Sequence, residues 1–227
     1  MTDTKTDTGH DVVFLVDCDN TLLDNDLVQQ DLRDHLLQQF GAPMRDRYWA
    51  IFEQLRDQLG YVDYLGALQQ LRTEHLDEPR LLHLGAWMMN YDFAGALYPG
   101  ALDVLAHLGQ WGPVVVLSDG DAVFQPRKIE RAGLWPAVDG RVLIYVHKEE
   151  MLEHVAKVYP ARHYVMVDDK VRILAAMKAV WGERLTTVFP RQGHYAFAPD
   201  VADYPTPDVT VDSIAGLLAL DLPALAR

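Results

Sequence analysis

Five short apolar runs, rich in β-branched and aromatic residues, stand out along the chain, and polar or turn-forming residues close each of them. The runs have no polar alternation, which is typical of strands covered on both faces. The predicted strands are residues 12–16, 114–117, 142–146, 164–167 and 185–189, with a weaker sixth at 209–211. The predicted helices between the later strands are residues 122–132, 149–159 and 171–181. Because strands alternate with helices, the fold class is predicted to be α/β with a parallel sheet.

The chain between the first and second predicted strands has a different pattern. It contains no convincing strand and instead shows the amphipathic spacing of helices. The predicted helices are residues 27–40, 44–59, 62–75 and 80–90, with another at 101–109 that leads back to the second strand. The simplest interpretation is an all-helical insertion, residues 24–98, within an α/β core formed by residues 11–23 and 99–227. The polar residues 1–10 are expected to form a flexible tail.

Composition and charge exclude several classes of function. The 227 residues carry a formal net charge of −13 and contain one cysteine. The negative charge would repel nucleic acids and anionic membranes, so neither is expected as a partner. A single cysteine excludes an internal disulfide and a cysteine zinc cluster, which suits a reducing cytoplasm. The chain has neither an apolar run of about 20 residues nor a signal-peptide core. We expect a cytoplasmic monomer or homodimer that binds a small molecule.

Candidate chemistry lies where the predicted strands end. In a parallel sheet, ligands bind in the crevice beyond the carboxyl ends of the strands. Seven polar residues directly follow the first four strands: Asp17, Asp19, Ser118, Asp119, Lys148, Asp168 and Asp169. The sequence therefore predicts that carboxylates, a hydroxyl and an ammonium converge at one edge of the sheet.

Such a cluster of carboxylates favours a metal ion. Without a counter-ion, their mutual repulsion would raise the pKa of at least some of the carboxyl groups. Oxygen ligands alone favour a hard divalent cation, and we expect Mg²⁺. A phosphoryl group could then bridge the metal and Lys148. Asp17 could attack phosphorus as a carboxylate nucleophile, and Asp19 could exchange a proton with the leaving group.

The same residues carry a family resemblance. The segment DCDNT, residues 17–21, resembles the DxDxT motif of haloacid dehalogenase-like phosphatases. Ser118, Lys148 and the segment MVDDK, residues 166–170, resemble the second, third and fourth motifs of that family, in the same order. The resemblance implies a Rossmann-like core with a helical C1-type cap. It also implies a Mg²⁺-dependent phosphatase of a small phosphorylated metabolite.

Carried over residue by residue, the resemblance also implies catalytic roles. Asp17 would be the nucleophile that forms an aspartyl-phosphate, and Asp19 would be the acid and base. Ser118 and Lys148 would hold phosphoryl oxygens, helped by the backbone N–H of Asp119. Glu149 follows the lysine where many relatives have proline.

The metal site follows from the same resemblance. Asp17 and Asp169 would supply carboxylate oxygens to Mg²⁺, and Asp19 would supply its backbone carbonyl. Thr21 would brace the loop through its hydroxyl, and Asp168 would lie close to the metal. The family often has a second acid several residues further on, which this chain lacks, so the Asp168–Asp169 pair must serve instead.

Three other functions are consistent with the same residues. A haloacid dehalogenase would use the same Asp17, and a sugar phosphomutase would return the phosphoryl group to a sugar. A non-catalytic module that binds a phosphorylated ligand is an alternative of a different class. Asp19 favours phosphoryl transfer, because dehalogenases of the family generally lack this second aspartate. Lys128, the rival to Lys148, is expected to be an exposed lysine on an amphipathic helix.

Overall fold

A computed structural model describes residues 9–225, and its centre is a six-stranded parallel sheet of order β3-β2-β1-β4-β5-β6. The strands are β1 (His10–Val16), β2 (Val114–Asp119), β3 (Val142–Tyr145), β4 (Ala161–Val167), β5 (Leu185–Pro190) and β6 (Val209–Val211). Every neighbouring pair is parallel. The predicted α/β fold class is confirmed, and all six predicted strands are present.

Helices connect the strands and cover both faces of the sheet. They are α1 (Asn25–Phe40), α2 (Ala42–Leu59), α3 (Tyr64–Glu74), α4 (Leu81–Met89), α5 (Ala101–Leu108), α6 (Phe124–Arg131), α7 (Leu134–Ala137), α8 (Leu152–Val158), α9 (Val171–Trp181) and α10 (Leu222–Leu225). Five of them, α1–α5, lie between β1 and β2, where the sequence predicts only helices, and α1–α4 form the helical segment within residues 24–98. Within residues 9–225, no helix combines the length and the apolar character that a membrane crossing requires.

The central strand explains why the apolar runs lack polar alternation. Val13 and Leu15 of β1 are buried in the hydrophobic cluster on one face of the sheet, together with α9. Phe14 and Val16 are buried in the cluster on the other face, which includes α5 and extends into α1–α4. Because helices cover both faces, every second position that would otherwise contact water is also apolar.

Local signals determine where the helices between β1 and β2 begin and end. Asp24 caps α1 by accepting a hydrogen bond from the backbone N–H of Leu27 at 2.9 Å. Gly60 ends α2 in the left-handed conformation, with φ of +76°. Aromatic side chains then attach this helical segment to the core: the ring of Tyr64 lies 5.0 Å from that of Phe124 at the start of α6. Within residues 24–98, Tyr48, Phe52 and Phe93 are buried as well.

Several boundaries differ from the prediction. His10 is the first residue of β1 and pairs with Ala161, so the predicted tail is too long; residues 1–8 of that tail lie outside the described part of the chain. The helix predicted at 122–132 begins later, at Phe124. The helix predicted at 149–159 is interrupted, since a 3₁₀ turn over Lys148–Glu150 precedes α8. In that turn, the backbone N–H of Lys148 donates a hydrogen bond to the Asp119 carboxylate at 2.7 Å.

Candidate active site

Two neighbouring strands place three carboxylates side by side. Val16 of β1 is in register with Val167 of β4, so the residues that follow them emerge together. One carboxylate oxygen from each of Asp17, Asp168 and Asp169 lies within 4.8 Å of the others, and all three residues are buried. The edge of the sheet therefore carries three carboxyl groups in a small buried volume.

Lys148 partly balances this charge. Its Nζ donates a hydrogen bond to Asp17 Oδ1, lies 2.7 Å from Asp168 Oδ2 and 3.3 Å from the carbonyl oxygen of Leu117. Burial by itself lowers the pKa of the Lys148 ammonium, but the Asp168 and Asp17 carboxylates outweigh it and raise that pKa well above its usual value. The lysine is therefore charged throughout the physiological range and holds two of the three carboxylates.

Several oxygens of the cluster have no partner. Among residues 9–225, Asp17 Oδ2 and both oxygens of Asp169 are buried and accept no hydrogen bond. Burial raises the pKa of Asp17 to about 6 although Lys148 opposes it. Burial, with the charges of Asp168 and Asp17, raises the pKa of Asp169 well above its usual value. Unpaired buried carboxylate oxygens are costly, and they are the ligands that a hard divalent cation prefers. The donor set therefore fits such a cation.

The loop after β1 is held from both sides. Thr21 Oγ1 accepts a hydrogen bond from the backbone N–H of Asp169 at 3.1 Å, which connects the loop to the end of β4. Asn20 adopts a left-handed conformation with φ of +61°, and its Oδ1 accepts hydrogen bonds from the backbone N–H groups of Asn25 and Asp26 at 3.0 and 3.2 Å. The loop that carries Asp17 and Asp19 thus also forms the beginning of α1.

Asp19 and Ser118 meet through residues of α6. Gln125 Nε2 donates to Ser118 Oγ at 2.9 Å and to Asp19 Oδ2 at 3.3 Å. Lys128 Nζ lies 2.8 Å from Asp19 Oδ1 and 2.9 Å from Asp19 Oδ2. The predicted exposure of Lys128 is wrong: its exposed fraction is 0%. It belongs to the face of α6 that turns toward the active-site loop, where Phe124, Gln125 and Ile129 are also buried.

A cavity of about 280 Å³ opens beside these groups. Its lining includes Asp19 and Asp119 at the strand ends and Tyr61 and Tyr64 around the start of α3. The cavity is therefore enclosed jointly by the strand ends and by the helical segment.

Lys170 also lines the cavity, although no role is predicted for it from the sequence. Its Nζ lies 4.6 Å from the centre of the Tyr195 ring, and among residues 9–225 no carboxylate oxygen is within 4.0 Å of it. Burial lowers the pKa of Lys170, but Asp17 and Asp169 outweigh it and raise the pKa overall. Its position in the sequence does indicate a site residue, because the lysine directly follows the Asp168–Asp169 pair at the end of a predicted strand.

Comparisons with known proteins agree with this arrangement. A family model described as haloacid dehalogenase-like hydrolase matches residues 12–180. A protein from Burkholderia xenovorans LB400, described as a haloacid dehalogenase-like hydrolase, is 62% identical; the match covers 94% of this chain and 98% of the other, with a TM-score of 0.90.

More distant structures share the fold. L-2-haloacid dehalogenase from Xanthobacter autotrophicus is 19% identical over 95% of this chain and 98% of its own, with a TM-score of 0.59. A HAD hydrolase from Bacillus subtilis, bound to magnesium, is 17% identical over 93% of this chain and 98% of its own, also with a TM-score of 0.59. No match is found among curated proteins. The matched family model and the 62% identical structure together show that this chain belongs to the haloacid dehalogenase-like hydrolases.

Proposed function

We propose that the protein is a Mg²⁺-dependent phosphatase that acts on a small phosphorylated metabolite through an aspartyl-phosphate at Asp17. The observation that carries this proposal is Asp19. Its carboxylate lines the cavity two residues after the nucleophile, and Lys128 and Gln125 hold it. A leaving alkoxide needs a proton from such a group, whereas a leaving halide needs none.

Buried carboxylate oxygens without hydrogen-bond partners are the evidence for the proposed Mg²⁺ site. Asp17 and Asp169 have buried oxygens without hydrogen-bond partners, and the backbone carbonyl of Asp19 is the further ligand that the family resemblance implies. The magnesium in the Bacillus subtilis structure supports the choice of ion. When bound, Mg²⁺ would neutralise part of the cluster and polarise a phosphoryl oxygen.

Each step of the proposed reaction is assigned to a particular side chain. A carboxylate oxygen of Asp17 forms a bond to phosphorus while the bond from phosphorus to the leaving oxygen breaks. Asp19 gives its proton to that oxygen, and afterwards takes a proton from the water that attacks the aspartyl-phosphate. The water oxygen stays on phosphorus, and the Asp17 carboxylate is released. Ser118 and Lys148 hold phosphoryl oxygens, together with the backbone N–H of Asp119.

The helical segment is proposed to act as a cap over the site. Tyr61 and Tyr64 line the cavity together with residues of the strand ends, and its volume of about 280 Å³ suits a small ligand. A closed cap excludes bulk water and contacts the part of the substrate that does not react. Tyr61 and Tyr64 would contact an organic group of the substrate, and Arg56 of α2 also lines the cavity.

Phosphate release from a panel of phosphorylated metabolites, with Mg²⁺ and with EDTA, tests the proposal. The wild type should release phosphate only with the metal, and Asp17→Asn and Asp19→Ala should each lose at least 100-fold in kcat. Asp11→Asn is the matched control, because Asp11 is exposed at the opposite end of β1 and should keep full activity.

A parallel assay of halide release from 2-haloacids separates the alternatives. Halide release that survives Asp19→Ala, without phosphate release from any ester, would show a dehalogenase and contradict the proposal. Neither activity from the wild type would favour a module that only binds its ligand.

A further inference from the structure

Lys128 is a completely buried cation whose hydrogen bonds are all accounted for. Its Nζ donates to Asp19 Oδ1 at 2.8 Å, to Asp19 Oδ2 at 2.9 Å and to Asn25 Oδ1 at 3.0 Å. A lysine ammonium has three protons, so these acceptors use its full capacity. Buried lysines are rare unless they are paired, and Lys128 is paired with Asp19 and hydrogen-bonded to Asn25.

Asp19 depends on this lysine for its orientation. The Asp19 side chain is 24% exposed toward the cavity, and among residues 9–225 its carboxylate is held only by Lys128 and Gln125. These two residues are three apart on α6 and so lie on the same side of the helix. Without Lys128, only the 3.3 Å hydrogen bond from Gln125 would restrain the carboxylate.

Lys128 does not contact the cavity itself. It is absent from the cavity lining, and its exposed fraction is 0%, so a ligand there meets Asp19 and not the lysine. The lysine also reaches the helical segment, because Asn25 is the first residue of α1 and donates to the Tyr64 hydroxyl at 3.3 Å. One side chain therefore connects α6, the acid and base residue, and the start of the proposed cap.

We propose that Lys128 is a positioning residue that holds the Asp19 carboxylate at the angle from which it protonates the leaving oxygen. The proposal rests on the proposed phosphatase function. It assigns different roles to the two active-site lysines. Lys148 acts on the Asp17 side of the reacting phosphorus, and Lys128 acts through Asp19 on the leaving-group side.

The test compares leaving groups. In Lys128→Met, kcat/KM for phenyl phosphate, whose phenoxide leaves poorly, should fall about 100-fold. For 4-nitrophenyl phosphate, whose phenoxide needs little protonation, it should fall less than tenfold. The ratio of kcat/KM for 4-nitrophenyl phosphate to kcat/KM for phenyl phosphate should therefore rise more than tenfold. Asp19→Ala should shift the ratio in the same direction, and adding Lys128→Met to Asp19→Ala should cause little further loss.

A merely structural role would give a different result. It would lower kcat/KM equally for both esters and would add to the loss from Asp19→Ala, and either result would overturn the proposal. Lys157→Met is the matched control, since Lys157 is exposed on α8 and its ratio should equal that of the wild type. The rise in Tm on adding Mg²⁺ should be preserved in Lys128→Met, which separates positioning from damage to the metal site.

A second variant covers the case in which Lys128→Met does not fold. Asn25→Ala removes the acceptor on α1 and leaves Lys128 with Asp19 alone, so the substrate ratio should rise about threefold. An unchanged ratio in a folded Asn25→Ala protein would overturn the proposal. If the wild type releases phosphate from neither ester nor from any other phosphorylated compound, the proposed function itself fails, and the role of Lys128 fails with it.

Discussion

Three lysines surround the reacting groups, and each is held by different neighbours. Lys148 pairs with Asp17 and Asp168, and Lys128 pairs with Asp19. Lys170 lies against the Tyr195 ring without a carboxylate partner among residues 9–225. A charged group beside a cavity that has no ion-pair partner keeps its hydrogen bonds available for a ligand. At the scale of single residues, Lys170 is therefore the cation most available to an anionic substrate.

Replacing Lys170 by methionine should weaken substrate binding more than it slows the chemical step. Loss of one hydrogen bond from a charged donor should raise KM about tenfold, with kcat changed less than threefold. Steady-state kinetics on an ester that the wild type hydrolyses would measure both constants, with exposed Lys157→Met as the control. An unchanged KM would show that the ammonium points away from the bound substrate.

Residue by residue, the site could be predicted only in part. Asp17, Ser118 and Lys148 follow apolar runs directly, so the position of each at the sheet edge can be read from the sequence. Lys128 could not be found in this way, because it lies within a helix whose exposed residues are also charged. Which side of such a helix meets the active-site loop depends on tertiary packing, which a helical period alone does not contain.

At the scale of elements, the weakest predicted strand depends on a side chain for its attachment. β6 has three residues, and Asp208 directly precedes it. Asp208 Oδ2 accepts hydrogen bonds from the backbone N–H and the hydroxyl of Thr187 in β5, at 2.8 and 2.9 Å, and from Lys178 of α9 at 2.9 Å. Partial burial raises the pKa of Asp208, but these hydrogen bonds outweigh it and lower the pKa overall.

Asp208→Ala should therefore lower the free energy of unfolding by about 1 kcal/mol at pH 7, a modest amount because the side chain is 38% exposed. Since the folded pKa is lowered, this contribution is complete above the ordinary aspartate pKa of about 4 and disappears as the pH falls through the folded value. Urea unfolding from pH 7 down to the lowest pH at which the protein stays folded would measure it. Asp203→Ala, exposed in the same segment, is the control; a difference that does not shrink at low pH would contradict the assignment.

The elements themselves were largely predictable, for a physical reason. A strand covered on both faces has to be apolar at successive positions, and β1 shows this at Val13, Phe14, Leu15 and Val16. The interrupted helix before α8 was not predictable from its pattern. Its 3₁₀ turn contains Lys148, whose backbone N–H donates a hydrogen bond to Asp119 at the end of another strand, and a contact between distant residues is not visible in a local pattern.

At the scale of the whole molecule, charge opposes the proposed chemistry. The net charge of −13 repels a phosphorylated substrate on average, and the buried cluster of Asp17, Asp168 and Asp169 adds to that field at the site. The cations at the site and a bound metal ion have to reverse the local field. In the metal-free protein, the same cluster is a source of instability, because buried like charges repel each other and are poorly solvated.

Asp169→Asn should distinguish the destabilisation of the metal-free protein by the cluster from the contribution of the cluster to metal binding. It removes one buried charge whose carboxylate oxygens have no partners, so the metal-free variant should melt about 2 to 4 °C above the metal-free wild type. With Mg²⁺ at 100 times its Kd, the wild-type Tm should rise by about 5 to 10 °C, and that of the variant should not rise. Thermal melts with EDTA and with Mg²⁺ measure both shifts, and exposed Asp11→Asn should behave as the wild type in each. A variant that keeps the full magnesium shift would show that Asp169 does not hold the metal, whereas a lower metal-free Tm would show that the cluster stabilises the fold without an ion.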